Sequence, residues 1–186
     1  MTTLYGTADL TRGANESVTR LRLYDGQLNL SWKHCAIASD FVAELIAMRY
    51  RGSRNAYKEV RHNIGYLTNE LVENAVKFRA AGGIVVEASI DDSNFRAKVS
   101  NFVDGETAAR FQDLLSEITT GDPGDLLIER IEANAIGTGK SGSGLGLLTL
   151  MSDYGVRFAW VFGPNSDSGD VALETYASIP VPDISN

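Results

Sequence analysis

The sequence predicts an α+β fold, a two-layer sandwich in which helices cover one face of a mixed, mostly antiparallel sheet. Two apolar runs, residues 84–90 and 95–103, flank the turn-forming run DDSN and predict a β-hairpin. A long amphipathic stretch over about residues 56–80 predicts a helix that ends at Gly82-Gly83. Helices and hairpins follow one another without a regular strand, helix, strand alternation, which disfavours a doubly wound parallel sheet.

The N-terminal part, residues 1–55, is predicted to supply strands and one helix. Residues 18–32 alternate apolar and polar side chains around Asp25-Gly26, which is typical of a β-hairpin or two short strands. Residues 37–50 predict a helix with Phe41, Leu45 and Met48 on one apolar stripe. Such a stripe is more often core than interface, so we expect it to be buried. We expect Trp32 and Trp160 to be core or edge aromatics.

The C-terminal half predicts three helices and two strands. Residues 106–135 form two helical patterns separated by the breaker run TGDPG. The run GTGKSGSGLGLL then opens a helix that extends through Asp153 or Tyr154, and the segments VRFAWVF and VALETYASIPV predict two closing strands. No repeat or low-complexity segment divides the chain, so residues 1–186 are expected to form a single domain.

Composition excludes several classes of function. A chain of 186 residues with 44% hydrophobic residues suits one domain with one core. The net charge of -7 argues against a nucleic-acid binder, because no basic run is present to neutralise phosphates. One cysteine and two histidines disfavour a disulfide and a zinc centre. No signal segment and no apolar run of about 20 residues is present, so we expect a cytoplasmic protein without a membrane span.

The long helix has two distinct faces. Its apolar positions share one side of the helical wheel, as a core-facing helix requires. On the neighbouring polar arc, Glu70 and Asn74 are four residues apart and therefore lie one above the other. A carboxylate can position a water or hydroxyl there, while the amide oxygen can bind a hard cation such as Mg2+. The alternative is a solvated face with Glu73 and Lys77 as an ordinary i,i+4 pair.

The glycine-rich run is compatible with several nucleotide motifs. Glycines let backbone N–H groups approach phosphates, and the subsequent helix adds its positive N-terminal end. A P-loop fails because its first glycine is replaced by Asn134 and a helical pattern precedes it. The GxGxxG match at residues 137–142 lacks a preceding strand. A flexible loop before a helix is the structural alternative.

Two motifs in a defined order resemble those of the GHKL (histidine-kinase-like) ATPase superfamily. The segment NELVENAVKF (residues 69–78) resembles its N box. The segment SGSGLGL (residues 141–147), followed by a helix and two strands, resembles its G2 box and C-terminal end. The resemblance covers about residues 56–186 and implies the Bergerat ATP-binding fold, with ATP and Mg2+ as cofactors.

The resemblance also implies roles for particular residues. Asn74 would coordinate Mg2+, Glu70 would act as general base, and Lys77 would contact the nucleotide. Residues 105–140 would form the ATP lid, from which Lys140 could reach a phosphate. The phosphate-side loop would comprise Ser141, Gly142, Ser143, Gly144, Leu145, Gly146 and Leu147.

The chain departs from the family pattern at the G1 box. Where the family has an aspartate that reads the adenine amino group, this chain has Asn101, and the glycine two residues later is Val103. An asparagine carbonyl can still accept a hydrogen bond from that amino group. Asp104, which precedes Gly105, is the second candidate for this position.

The branch of the superfamily is indicated by the surroundings of these motifs. No helical hairpin with a phospho-accepting histidine precedes them, and His62 is interpreted as a helix-surface residue. A stand-alone domain with an N-terminal strand and helix resembles the anti-sigma-factor serine kinases of bacterial partner-switching systems. The helical lid and the segment SGSGLGLLTLMSDYG resemble the SiaB-type protein kinases still more closely.

The resemblance to these kinases implies an ATP-dependent serine/threonine protein kinase that acts on a small STAS-like antagonist or another small regulatory protein. A homodimer through the helix of residues 37–50 is a further expectation if its stripe is exposed. Two alternatives remain. One is a non-catalytic, anti-sigma-like binding module with a vestigial ATP site, and the other is an ATP hydrolase without a protein substrate.

Overall fold

A computed structural model of the chain describes residues 2–12, 19–24, 34–80, 82–91, 93–137, 144–164 and 169–183. The described helices are α1 (Cys35–Ala47), α2 (Arg54–Phe78), α3 (Gly105–Ile118), α4 (Pro123–Ala135) and α5 (Leu145–Asp153). The described strands are β1 (Thr3–Gly6), β2 (Thr19–Tyr24), β3 (Val85–Ile90), β4 (Asn94–Val103), β5 (Arg157–Pro164) and β6 (Val171–Pro180). No helix among these residues is long and apolar enough to cross a bilayer.

The six strands form one sheet in the order β1-β5-β6-β4-β3-β2. Every neighbouring pair is antiparallel, so the predicted α+β sandwich is confirmed, and the sheet contains antiparallel pairs only rather than a mixture. The hairpin predicted around the DDSN run is β3–β4, in which Val86 pairs with Val99. Strand β4 alternates buried and half-buried residues, as a strand with one covered face requires.

Helix α2 supplies much of the covering layer. Ser53 caps its N-terminus by accepting a hydrogen bond from the Ala56 N–H. The apolar face predicted from the sequence is buried over most of its length, at Val60, Ile64, Leu67, Leu71 and Ala75. Phe78, predicted on the same face, is 41% exposed because it occupies the last position of the helix.

Helices α3 and α4 are the two helices predicted from residues 106–135. The side chains of Asp104 and Asp122 cap their N-termini, and Pro123 occupies a first-turn position of α4, where its missing N–H costs nothing. Leu115 and Ile118 anchor α3 in the core. Helix α4 has no buried residue and packs mainly against α5 as an outer layer.

Two N-terminal features differ from the prediction or extend it. Residues 19–24 form β2, which pairs with β3, whereas residues 25–33 of the predicted hairpin, including Trp32, lie outside the described residues. Strand β1 was not predicted, because four residues are too few to show periodicity; it pairs with β5 at the sheet edge. Trp160, expected as a core or edge aromatic, is buried in the core, and the expected surface position of His62 is confirmed.

The expectation that the α1 stripe is core is wrong. Phe41 is 52% exposed, Leu45 37% and Met48 54%, and Ile37 extends the stripe at 68%. Helix α1 buries its opposite side, including Val42 and Ile46, and packs against α2. Helical periodicity identifies an apolar face but does not determine whether another element covers it.

Candidate functional site

A cavity of about 700 Å³ lies between α2, the sheet, α3 and the start of α5. Its walls combine apolar side chains from the sheet with polar and charged side chains from the two helices that flank it. The cavity is lined by Glu70, Leu71, Glu73, Asn74, Ala75, Lys77, Phe78, Val99, Asn101, Val103, Thr107, Arg110, Phe111, Leu114, Gly144, Gly146, Leu147, Trp160, Leu173 and Thr175. The N-box-like and G2-box-like residues of the sequence therefore meet around one space.

The α2 wall carries the predicted catalytic and metal-binding side chains. Glu70, Asn74 and Lys77 follow one another at spacings of four and three residues, so one helical face presents all three to the cavity. Glu73, between them, also lines it and accepts a hydrogen bond from Asn69 Nδ2 at 2.7 Å. The amide oxygen of Asn74 is a hard oxygen donor, and Mg2+ commonly takes only one or two such ligands from protein and the rest from phosphate and water, so this donor fits Mg2+.

Gly146 leaves the space that the Glu70 carboxyl group occupies. A Cβ atom at position 146 would lie 2.7 Å from Cδ of Glu70 and closer still to its Oε2 atom. A side chain at this position would therefore meet the carboxyl group itself. The contact joins the N-box-like helix to the first turn of α5.

The environment of Glu70 disfavours its charged form. Burial raises the pKa of its carboxyl group above the ordinary value, and the nearby negative charge of Glu73 raises it further. A carboxylate with a raised pKa is a stronger base than an exposed one. This property suits a group that must take a proton from a hydroxyl near neutral pH.

The start of α5 provides the glycine-lined part of the cavity. Gly144 has φ +87° and precedes the helix as its N-cap, a backbone conformation that favours glycine. A Cβ atom there would lie 3.2 Å from both Leu114 of α3 and Arg130 of α4. Gly146 and Leu147 also line the cavity, whereas Leu145 is not among the lining residues. Lys140, Ser141, Gly142 and Ser143 lie outside the described residues.

Asn101 lies on the sheet side of the cavity and is only 5% exposed. It shares its strand face with Val99 and Val103, and its strand partner Leu173 lines the same space. Its Nδ2 group donates to the Phe102 carbonyl at 3.4 Å, a long bond. A buried carboxamide among apolar side chains is well suited to distinguish hydrogen-bonding groups on a flat ring.

Asp104, the second candidate for the adenine position, does not line the cavity. Its carboxylate caps α3, accepting hydrogen bonds from the Thr107 N–H at 2.7 Å and the Thr107 hydroxyl at 2.9 Å. The Thr107 backbone N–H and then its hydroxyl lower the pKa of Asp104 below its ordinary value. The side chain is thus used at a helix end, and Asn101 is the residue inside the cavity.

Helix α3 contributes cavity residues that sequence reasoning missed. Thr107, Arg110, Phe111 and Leu114 recur at the i, i+3, i+4, i+7 spacing of one helical face, and all four line the cavity. This spacing is the signal that could have identified them. Arg110 faces the space while also pairing with Glu106 at 3.2 Å on the exposed side of α3.

The first helix of the segment predicted as a lid, residues 105–140, is α3, and it forms one wall of the cavity. Helix α3 is held by the buried side chains of Leu115 and Ile118. Helix α4 lies outside it, and Arg130 of α4 pairs with Glu117 of α3 at 2.8 Å.

Among the described residues that line the cavity, Lys77 of α2 and Arg110 of α3 are cations. The Lys77 ammonium group lies 4.9 Å from the ring centroid of Phe78, which places it over the aromatic face at the end of α2. Together with the N-terminus of α5, these cations offset the negative charges of Glu70 and Glu73 and make the cavity compatible with an anionic ligand.

Comparison with known proteins adds one structural relative. No protein-family profile matches the sequence, and no curated protein matches it. Among solved structures, the chain is similar to a chain in the crystal structure of the SiaB-SiaC complex from Pseudomonas aeruginosa. The TM-score is 0.56 at 13% sequence identity, and the match covers 86% of this chain and 89% of that one. At this identity, the similarity shows a shared fold.

Proposed function

We propose that this chain binds Mg-ATP in the 700 Å³ cavity and transfers the γ-phosphate to a serine or threonine of a small regulatory partner protein. One observation carries the proposal: Glu70, Asn74, Gly144 and Gly146 line a single cavity although about 70 residues separate the two pairs in sequence. A solvated helix face and an unrelated flexible loop would have no reason to meet in this way.

The walls of the cavity suit the parts of a nucleotide. Its volume falls within the range of about 300–1,000 Å³ that is usual for small-molecule sites. The apolar side chains around Asn101 suit a purine ring, and the Asn101 carbonyl can accept a hydrogen bond from the adenine amino group. The glycine-lined start of α5, with Lys77 and Arg110, suits the phosphates.

The proposed reaction assigns separate tasks to neighbouring α2 residues. Asn74 holds Mg2+, which stabilises the negative charge of the phosphates when it is bound. Glu70 accepts the proton of the partner's hydroxyl group, whose oxygen forms a bond to the γ-phosphorus. The bond from that phosphorus to the bridging oxygen breaks, and ADP leaves. Positioning and charge stabilisation supply most of the rate enhancement in such transfers.

The structural relative supports the proposal of a protein partner. Its fold is shared, and it was solved in a complex of two proteins, SiaB and SiaC. A domain of this fold can therefore present a surface to another protein. The proposed partner is a STAS-like or other small regulatory protein, and the proposed role is partner-switching signalling.

Asn74→Ala is expected to weaken Mg-ATP binding by about tenfold or more, because the metal loses its protein ligand. In EDTA the variant and the unaltered protein should bind ATP with similar affinity, since no metal is then present for Asn74 to coordinate. Isothermal titration calorimetry with and without Mg2+ measures both quantities. Asn63→Ala is the matched control, because Asn63 lies on the same helix outside the cavity lining.

The same titration tests the proposed function as a whole. If the unaltered protein showed no binding of Mg-ADP at millimolar concentration, the binding-module alternative would be favoured. Equal loss of affinity in Asn63→Ala and Asn74→Ala would remove the metal-binding role from Asn74.

Asn101→Leu is expected to lower ADP affinity by about tenfold, because the acceptor for the adenine amino group is lost. Inosine diphosphate carries an oxygen in place of that amino group. The unaltered protein should therefore prefer ADP to inosine diphosphate, and the Leu variant should lose this preference. Competition titrations with the two diphosphates measure the ratio. An unchanged preference in Asn101→Leu would assign base recognition to another residue.

A further inference from the structure

The outer side of α4 exposes an apolar patch. Ile128 and Ile131, three residues apart and therefore neighbours on the helix surface, are 57% and 53% exposed, and Ile136, which follows the last helical residue, is 74% exposed. We call these three residues the α4 face. Leu126 and Leu127 of the same helix pack toward the core. These isoleucines leave more than half of their surface uncovered by the described residues, on and beside a helix that buries none of its residues.

Acidic side chains flank the α4 face. Asp125, Glu129 and Glu132 are exposed on the same helix. Its only basic residue, Arg130, is directed toward Glu117 of α3, with a 2.8 Å contact. Residues 105–137 contain seven acidic and two basic side chains, so this segment carries a net charge of -5 of the chain's -7.

The negative charge around the α4 face disfavours a second copy of this chain as its partner. A second copy of the chain would bring one acidic rim against another if the two α4 faces met around a two-fold axis, which is unfavourable. The exposed stripe of α1 differs in this respect. There, Arg61 pairs with Glu44 at 2.7 Å and with Asp40 at 3.8 Å, so its rim contains both signs of charge.

We infer that the α4 face is a docking surface for a partner protein that presents an apolar patch rimmed by lysine and arginine. A partner could dock on the α4 face whether or not the chain binds ATP. Phosphotransfer to the docked partner does rest on the proposed function. Arg130 of α4 lies next to Gly144, which lines the cavity. A partner on this helix would therefore be held close to the glycine-lined, phosphate side of the cavity.

The test uses a defined probe and protein without nucleotide. The probe is a synthetic amphipathic peptide of about 14 residues with leucine on one helical face and lysine elsewhere. The control peptide has glutamate in place of every lysine. Amide chemical shifts locate the binding site on isotope-labelled protein, and calorimetry gives the affinity.

We expect the lysine peptide to shift the amides of residues 125–136. Ile128→Ser/Ile131→Ser should weaken its binding by about tenfold or more, since the variant loses the apolar area that the two isoleucines would bury against the peptide. The matched control is Ile37→Ser/Phe41→Ser, which removes two equally exposed side chains from α1 and should bind normally. Glu129→Lys/Glu132→Lys should transfer the preference to the glutamate peptide.

Three results would overturn the inference: no binding of the lysine peptide, unchanged affinity in Ile128→Ser/Ile131→Ser, or equal affinity for both peptides. Amide shifts confined to residues 37–48 would place the docking surface on α1 instead. Because nucleotide is absent, failure of the α4 face is separable from failure of the ATP site, which the Mg-ADP titration tests.

Discussion

Glu70→Gln is expected to reduce phosphotransfer by about 10²–10⁴-fold, the usual contribution of a general base, while Mg-ADP binding is retained. Glutamine keeps the shape and nearly the volume of glutamate but cannot accept the hydroxyl proton. Transfer from γ-labelled ATP to a purified partner protein measures the loss, and phosphate release without partner reports any hydrolysis. Calorimetry with Mg-ADP establishes that the site is otherwise intact.

Glu73→Gln is the matched control for this result. Glu73 lines the same cavity one turn of α2 away, but its carboxylate accepts a hydrogen bond from Asn69 and has no task in the proposed reaction. Its loss should leave transfer at neutral pH largely unchanged. Because the Glu73 charge helps to raise the pKa of Glu70, the acidic limb of the pH–rate profile should move to lower pH in this variant. Equal transfer by the Glu70→Gln variant and the unaltered protein would contradict the assigned role.

The raised pKa of Glu70 also has a consequence for stability. The folded state holds the Glu70 proton more tightly than the unfolded state, so the free energy of unfolding falls as pH rises above the ordinary value of 4.5. The fall continues until pH passes the raised pKa of the folded state and then stops. Glu70→Gln should remove this contribution. The free energy of unfolding of the nucleotide-free variant, relative to that of the unaltered protein, should therefore be higher at neutral pH than at pH 4. Denaturant unfolding of both proteins across this window measures the difference.

The sequence was most informative where a local pattern also determined the face that a residue occupies. The spacing of Glu70 and Asn74 required a common helical face, and the alternation in β4 placed Asn101 with Val99 and Val103. A choice between Asn101 and Asp104 could not be made from motif spacing alone. It depends on where β4 ends, and there the Asp104 side chain becomes the cap of α3.

Other features depended on contacts that no local pattern encodes. An apolar helical stripe looks the same in sequence whether it is covered or exposed, and the exposed α1 stripe was expected to be buried for this reason. Arg110 and Phe111 lie on a recognisable helical face, but that face lines a cavity only because α3 packs beside α2 and the sheet. Strand β1 exists through its pairing with β5, which is about 150 residues away in the chain.

Gly146→Ala is expected to reduce phosphotransfer by about 10²-fold, because a misplacement of about 1 Å in a reacting group can have an effect of this size. The new methyl group would occupy the space of the Glu70 carboxyl group. Since that group ends a flexible side chain, it can rotate away, and the fold should survive. Alanine is also the better helix former by about 1 kcal/mol, which offsets part of the crowding. Urea unfolding should therefore show little change in stability.

Gly105→Ala provides the comparison, since Gly105 is also in a helix and a Cβ atom there would meet nothing within 4 Å. Its transfer rate should equal that of the unaltered protein. The double variant Glu70→Gln/Gly146→Ala then separates a direct effect from one that acts through Glu70. If Gly146→Ala acts by displacing the carboxylate, adding it to Glu70→Gln should cause no further loss, because the base is already absent. Losses that multiply in the double variant would show that Gly146 acts on the phosphate side of the site independently of Glu70.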